Sequence, residues 1–566
     1  MPVSPDEIVN ILKKNELGER VVPHTVFSDN ATYRDERKSI VIVAPEPCES
    51  ENRYKEIILL VSLAKEYGFA LHPISKGLNL GYGGANPYRR AIILDLSKFN
   101  RVIHFDLDSG QLTIEPGVSQ DDVYKFLVRN GNTYINDTTG APKESSIIGN
   151  YIERGFGHTP LAEHPKNILH CEVLIPFGKN RPPEIFCTAT DGTLVHNSVT
   201  KIVRTYCIGA DYTGIFIQNN LGVILNMTIK LLPKPEAFYP YFIPFSDAQA
   251  IDVLDICAKL RKQGTIHSAA HIGNSTKALQ LLAVECPEMI ENYDSVHLNK
   301  LIKTLRLDDW TLSGGFYGTK NQVKAHISDI KKAFKPLGLK VIILNRTLLN
   351  ITKFLEGFVD NNRNQLKSCL KSNSKLLKRL SARLFMLPGL NALCDLKQGK
   401  PNNYFLRSVY WRNLHKVHQK EFDLTRDNVG LLWGAPCAPF NGDNFYSVYS
   451  VMKSKCEEFD LECPISVTLV NERNMECVLS LSFDRDDPKQ EENALNCYKD
   501  IMTICTENHF PPYRMSTFSN EFLNYENIAF SVDVLNLKEE LDPCNVISPG
   551  KYKLMSKNFT HQQALK

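Results

Sequence analysis

The sequence predicts an α+β chain of more than one domain. Three observations carry this. Short apolar runs of strand length alternate with an amphipathic helical stretch over the first 130 or so residues. A glycine-rich loop lies between two of those runs. At 566 residues the chain is long enough for ample core in more than one domain.

Taken in order, Ser39 to Ala44 reads as a strand, and Arg53 to Tyr67 as a helix with Ile57, Leu60, Val61 and Ala64 on one face. The apolar residues Phe69, Ala70 and Leu71 lead as a strand into Pro73 to Ala85, PISKGLNLGYGGA. Gly77, Gly81, Gly83 and Gly84 can each take φ > 0 and admit a close approach. Successive N–H groups in such a loop converge on an anion, so it suits a phosphate or pyrophosphate; a glycine-rich hairpin without ligand fits the same residues. The loop is neither a P-loop nor a G-x-G-x-x-G turn. Ala91–Leu94, Val102–Phe105 and Gln111–Glu115 follow as strands, Pro116-Gly117 as a turn, and Asp121–Leu127 as the start of a helix. Further along, Phe238–Pro244, Trp310–Tyr317 and Leu339–Leu344 read as strands, and Ala248–Arg261 and Lys320–Phe334 as helices.

Lys367 to Leu387 spaces six basic residues among leucines, which predicts one basic amphipathic helix. Such a helix can dock on a membrane, a partner or an acidic substrate. A surface helix with its apolar face inward and its lysines in water is the commoner arrangement and the one expected here. Charged residues make up 23% and hydrophobic residues 43%, and the net charge of +3 gives no argument for nucleic acid. No apolar run is long enough to span a bilayer, and the start MPVSPDEI has no basic region followed by an apolar stretch, so a cytoplasmic protein is expected. The fifteen cysteines are scattered without metal spacing; free thiols and no metal are expected.

Five segments in register give the chain a resemblance. They are the glycine loop, LDLSKFNRVI with IEPGV (Leu94–Val118), SIIGNYIERGFGHTP (Ser146–Pro160), QNNLGVIL (Gln218–Leu225) and LDPCNVISPGK (Leu541–Lys551). In this order the chain resembles the vanillyl-alcohol oxidase / p-cresol methylhydroxylase family of FAD enzymes, from about Ile40 to Lys551. The resemblance implies an FAD-binding domain built from both chain ends, residues 1–236 and 504–566, around an inserted cap domain at 237–503. The prolines of Leu232-Pro233-Lys234-Pro235 mark the first boundary. It implies FAD held by Ser75, Lys76, Gly77, Leu78, Asn79, Leu80, Gly81 and Gly83 of the loop. Gly117, Ser146, Ile148, Gly149, Asn150, Gly155 and Gly157 add to these, as do Asn219, Gly222, Ile224 and Lys551.

In the family, residues matching Tyr82, Tyr513 and Arg514 hold the oxygen of a para-substituted phenol as phenolate. Hydroxyl donors and a guanidinium favour that anion. Adjacent Tyr513 and Arg514 reach one ligand only where the chain is irregular, which Pro511-Pro512 permits. The resemblance thus implies an FAD-dependent oxidoreductase acting on CH-OH or CH groups of a small aromatic substrate. Dioxygen or a redox protein is the expected electron acceptor and a homodimer the expected assembly. Three positions depart from the family. Gly430 stands where a histidine link to the flavin would be, so non-covalent FAD is expected. Ala141 stands where a carboxylate would lie, with Asp137 and Glu144 as alternatives nearby. Glu476-Cys477 replaces a His-His pair, and Glu476 is an acid/base candidate or a partner of Arg473. Tyr410, Arg412 and Trp433 are candidate pocket residues, while His158 and His164 are expected to be structural. Two other functions stay open: a tailoring oxidoreductase of a larger, carrier-bound, non-phenolic intermediate, and a redox-inactive binding subunit.

Overall fold

Three parallel strands begin the architecture. β2 (Ile42–Val43), β3 (Leu71–Ile74) and β4 (Ile92–Asp95) pair in the order β2-β4-β3, with β1 (Val21–Val22) antiparallel on the edge. The helix Lys55–Tyr67 covers this sheet with the face its spacing predicts, and Gly68 ends it at φ 73°. The computed structural model describes residues 3–23, 32–35, 41–49, 52–189, 210–417, 422–523 and 532–557. Ser39 and Ile40 of the expected first strand lie outside them.

A second, antiparallel sheet runs β5-β6-β10-β8-β9, from β5 (Val102–Asp106), β6 (Gln111–Ile114), β8 (Ile168–Ile175), β9 (Glu184–Cys187) and β10 (Val223–Lys230). A two-stranded ribbon pairs β7 (Tyr134–Ile135) with β11 (Leu232–Pro233). The far end of the chain returns to this half. Leu71 N donates to Val546 O at 2.7 Å and Ser548 N to Leu71 O at 2.8 Å. The wholly buried pair Lys538–Asp542, 2.6 Å apart, anchors the return by donating to Asn220 O.

Residues 237–484 build the third sheet, antiparallel throughout. It comprises β12 (Ala237–Phe245), β13 (Ala270–Asn274), β14 (Trp310–Gly318), β15 (Ile342–Ile343), β16 (Val429–Gly434), β17 (Cys437–Pro439), β18 (Ile465–Leu469) and β19 (Asn474–Asp484). The order is β15-β12-β14-β13-β18-β19-β16, and β17 also pairs with β19. One face packs on the helices Ala250–Lys262, Lys320–Phe334, Gly442–Glu458 and Pro488–Glu507 in the largest apolar core. The register lines up Ser313, His271, Thr468 and Glu476 in one row across β14, β13, β18 and β19. Thr311, Gly273, Ser466 and Val478 form the next row.

The basic segment differs from the single helix expected. It breaks at Ser372–Ser374 into Arg363–Lys371 and Lys375–Phe385, because Ser374 caps the second helix by accepting from Leu377 N. Its apolar face is also divided: Ala382 and Phe385 are buried, whereas Leu376 is 75% and Leu380 55% exposed. Tyr410 to Arg412 belong to a helical stretch, Tyr404–Lys416, and not to a strand.

Candidate functional site

A cavity of about 1050 Å³ lies between the glycine loop, the Thr139–Phe156 segment and the inner face of the third sheet. The loop forms one wall because its glycines permit it. Gly77, Gly81, Gly83 and Gly84 all have positive φ, at 66°, 74°, 110° and 61°. Two close approaches pin it. A Cβ on Gly81 would lie 3.1 Å from the Trp433 ring, and one on Gly83 would lie 2.2 Å from Thr517 Oγ1.

Of the residues expected at the cofactor, Ser75, Lys76, Gly77, Leu78, Asn79 and Leu80 line the cavity, as do Ser146, Gly149, Asn150, Gly155 and Lys551. The others stand behind this wall. Gly81 and Gly83 make the packing contacts above. A Cβ on Gly117 would lie 2.2 Å from Ser97 O, one on Gly157 2.3 Å from the Asp137 carboxylate, and one on Gly222 2.8 Å from Leu174 O. Ile148 and Ile224 are core residues, and Asn219 Oδ1 accepts from Leu221 N. These seven glycine and core positions and Asn219 shape the scaffold. Ser145 Oγ and Trp433 Nε1 are buried on the cavity wall with no hydrogen-bond partner among the described residues. A polar, φ-positive loop facing orphaned donors fits a cofactor with both phosphates and a ring of amide-like acceptors.

At one end of the cavity stand Tyr82, Tyr513 and Arg514. Tyr513 and Arg514 share it because residues 511–514 run irregularly beside the third sheet, held by Cys437 N to Pro511 O at 2.8 Å and Tyr513 N to Ala435 O at 3.2 Å. The two tyrosine hydroxyls lie 3.3 Å apart, and the Arg514 guanidinium sits 3.6 Å over the Tyr82 ring and donates to Asn79 Oδ1. Phe156 packs on Tyr513 and Trp433 edges onto Tyr82. Burial drives both tyrosine pKa values up, against the opposing pull of Arg514. Burial works to lower the Arg514 pKa, but Tyr513, Tyr82 and Glu153 outweigh it and raise it. The site therefore offers two neutral hydroxyls and a fixed cation. Glu153 is held ionised by Lys551 at 2.5 Å and also accepts from Tyr552.

Tyr410 and Arg412 do not line the cavity. The Tyr410 hydroxyl donates to Asp427 at 2.6 Å, and Arg412 pairs with Glu462 at 2.7 Å while lying over Tyr293. Trp433 does line it. Neither flanking carboxylate takes the place of Ala141, which itself lies on the cavity wall. Asp137 faces His164 and accepts from His158 N and Thr159 N, and Glu144 is exposed and accepts from Asn403. Glu476 does not pair with Arg473. It is buried against Cys437 Sγ and Asn474 Nδ2, 2.7 Å from each, and burial pushes its pKa up to about 7.

His158 lines the cavity and stacks on His271 at 4.3 Å; burial and Lys397 hold it neutral, with its pKa lowered to about 4. His271, Lys277, Ser466 and Thr468 also face the cavity, and sequence reading missed them. Alternation within β13 and β18 marks a face of each strand, but only the register makes those faces one wall.

Residues 52–180 match the family model described as FAD binding domain. Over 549 residues the chain is 26% identical to 1'-carboxy-chondrochloren decarboxylase of Chondromyces crocatus, covering 94% of this chain and 93% of that protein. It is 24% identical to the 4-cresol dehydrogenase [hydroxylating] flavoprotein subunit of Pseudomonas putida, covering 90% and 88%. The fold superposes on 4-ethylphenol oxidase from Gulosibacter chungangensis with a TM-score of 0.80 at 20% identity, covering 98% of this chain and 99% of that one. Among the described residues the cysteines are free and no cluster of metal-binding side chains occurs. No helix there is long and apolar enough to cross a membrane.

Proposed function

From an FAD-binding chain homologous to the vanillyl-alcohol oxidase / p-cresol methylhydroxylase flavoproteins, we propose an oxidoreductase that removes hydride from the benzylic carbon of a para-substituted phenol or phenolic alcohol. The observation that carries this reading is the buried Tyr82–Tyr513–Arg514 cluster. Bound FAD supplies the acceptor for that hydride. The protein does the rest. Tyr82 and Tyr513 keep their protons and donate to the phenol oxygen, and Arg514 balances its charge. The phenolate so favoured pushes electron density through the ring to the para substituent. Phe156 and Trp433 hold the ring and exclude water. Ser75–Leu80, Ser146, Asn150 and Lys551 are the residues that would hold FAD. Dioxygen or a redox protein would be the final electron acceptor.

Loss of a charge-assisted contact in such a site costs about 2–4 kcal/mol, or roughly 30- to 1,000-fold in rate. Arg514→Leu is therefore expected to slow anaerobic flavin reduction by 4-ethylphenol over that range while retaining FAD. Tyr513→Phe should lose less, because Tyr82 still donates. Reduction by Arg514→Leu as fast as wild type would refute the phenolate role.

A second reading is favoured by the apolar lining of the cavity and by one relative. The cavity wall also includes Leu281, Leu305, Leu387, Leu390 and Leu393, apolar surface that a larger substrate would cover. The Chondromyces relative bears the name of a decarboxylase of a carboxylated compound. On this reading the substrate is a larger tailoring intermediate. Turnover of extended para-substituted compounds, and none of 4-ethylphenol, would favour it.

A further inference from the structure

Lys277 stands in the first turn of the helix Ser275–Glu285, and the surface it keeps opens onto the cavity. Its ammonium donates to Ser466 Oγ at 3.1 Å. Among the described residues no carboxylate pairs with it, and burial lowers its pKa to about 8. Of the carboxylates on the cavity wall, Glu153 pairs with Lys551 and Asp308 lies under the influence of Arg383, while behind the wall Asp137 is held by His164 and two backbone N–H groups and Glu476 by Cys437 and Asn474. Beside Lys277 the wall carries the Ser466 and Thr468 hydroxyls and the His271 ring, whose Nδ1 is buried without a partner. Behind the histidines lies a wholly buried ammonium, Lys397, whose Nζ has no hydrogen-bond partner among the described residues. A buried cation without a counter-ion is costly, and a ligand that supplies the charge is held correspondingly well.

We infer that Lys277, with Ser466, Thr468 and His271, binds a carboxylate carried by the substrate. On this stretch of wall a single ammonium beside the neutral groups Ser466, Thr468 and His271 matches a singly charged, planar, two-oxygen group. This rests on the reading of the cavity as the substrate site, and it defines the substrate as an aryl carboxylic acid held at two points. The phenol oxygen sits at Tyr82, Tyr513 and Arg514, and the carboxylate at the third sheet. The register explains the placement: Ser466 lies opposite Gly273, the one residue of the β13 row without a side chain, so the Lys277 chain reaches the wall unobstructed.

The test is calorimetric titration of the anaerobic holoprotein with 3-(4-hydroxyphenyl)propanoate and with its primary amide. Wild type is expected to bind the carboxylate about tenfold more tightly than the amide. Lys277→Met should bind the two alike and keep its affinity for 4-ethylphenol. Should Lys277→Met fail to load FAD, Ser466→Ala is expected to cut the preference about threefold. The pair 3-phenylpropanoate and its amide has no phenol. A Lys277-dependent preference on that pair stands even if the phenolate reading fails. Wild type without a carboxylate preference on either pair, or Lys277→Met retaining one, overturns the assignment.

Discussion

Glu476 lies in a row with Thr468 and His271, its carboxyl turned to Cys437 and Asn474. Burial raises its pKa to about 7. An unfolded glutamate ionises near 4.3, so between roughly pH 4 and pH 7 the folded chain keeps a proton that the unfolded chain has lost. Stability therefore falls as pH rises through that window and levels off above it. Glu476→Gln removes the ionisation. Relative to wild type it should gain on the order of 3 kcal/mol between about pH 4 and about pH 8, read from urea midpoints. An unchanged difference would mean that the carboxyl is ionised in the folded protein.

At the scale of the element, the glycine loop works by packing as well as by cradling. Gly83 does not line the cavity; at φ 110° it presses on Thr517, whose Oγ1 shares a 2.7 Å hydrogen bond with buried Tyr33 and whose N donates to Tyr82 O at 3.1 Å. A branched side chain there must both adopt a strained φ and displace Thr517, a cost of about 2–4 kcal/mol. Tyr82 and the segment carrying Arg514 move with it. Gly83→Val is thus expected to lose FAD loading and thermal stability together. Lys378→Glu, on the broken basic segment, should match wild type in FAD content. Equal loading of the Gly83 variant would detach this loop from the cofactor site.

For the whole molecule, the manner of holding the cofactor follows from which residue stands on the third sheet. Gly430 in β16 sits over the Phe483 ring, where even a Cβ would lie 2.3 Å from a ring carbon. No histidine fits there. FAD is expected to leave the protein intact on heat or acid denaturation and to pass a filter that retains the chain. Yellow colour kept with the denatured protein would refute this.

The sequence by itself determined what depends on neighbours along the chain. Positive φ at Gly77, Gly81, Gly83 and Gly84, the buried stripe of Lys55–Tyr67 and the strands Ala237–Phe245 and Trp310–Gly318 were all legible, because intrinsic dihedral freedom and apolar period are local. The family resemblance also singled out Tyr82, Tyr513 and Arg514, and all three line the cavity. The tertiary structure alone decided which polar groups were left for a ligand. Arg412 and Lys277 are both cations near aromatic or polar runs in sequence, yet one meets Glu462 and the other, among the described residues, hydrogen-bonds only a serine. Asp137, an alternative for the carboxylate missing at Ala141, is bound to His164 and to two backbone N–H groups. Ion pairing and strand register arise between segments far apart in the chain. The side chain that remains unpaired, and the wall on which it stands, are therefore fixed only when the sheets close.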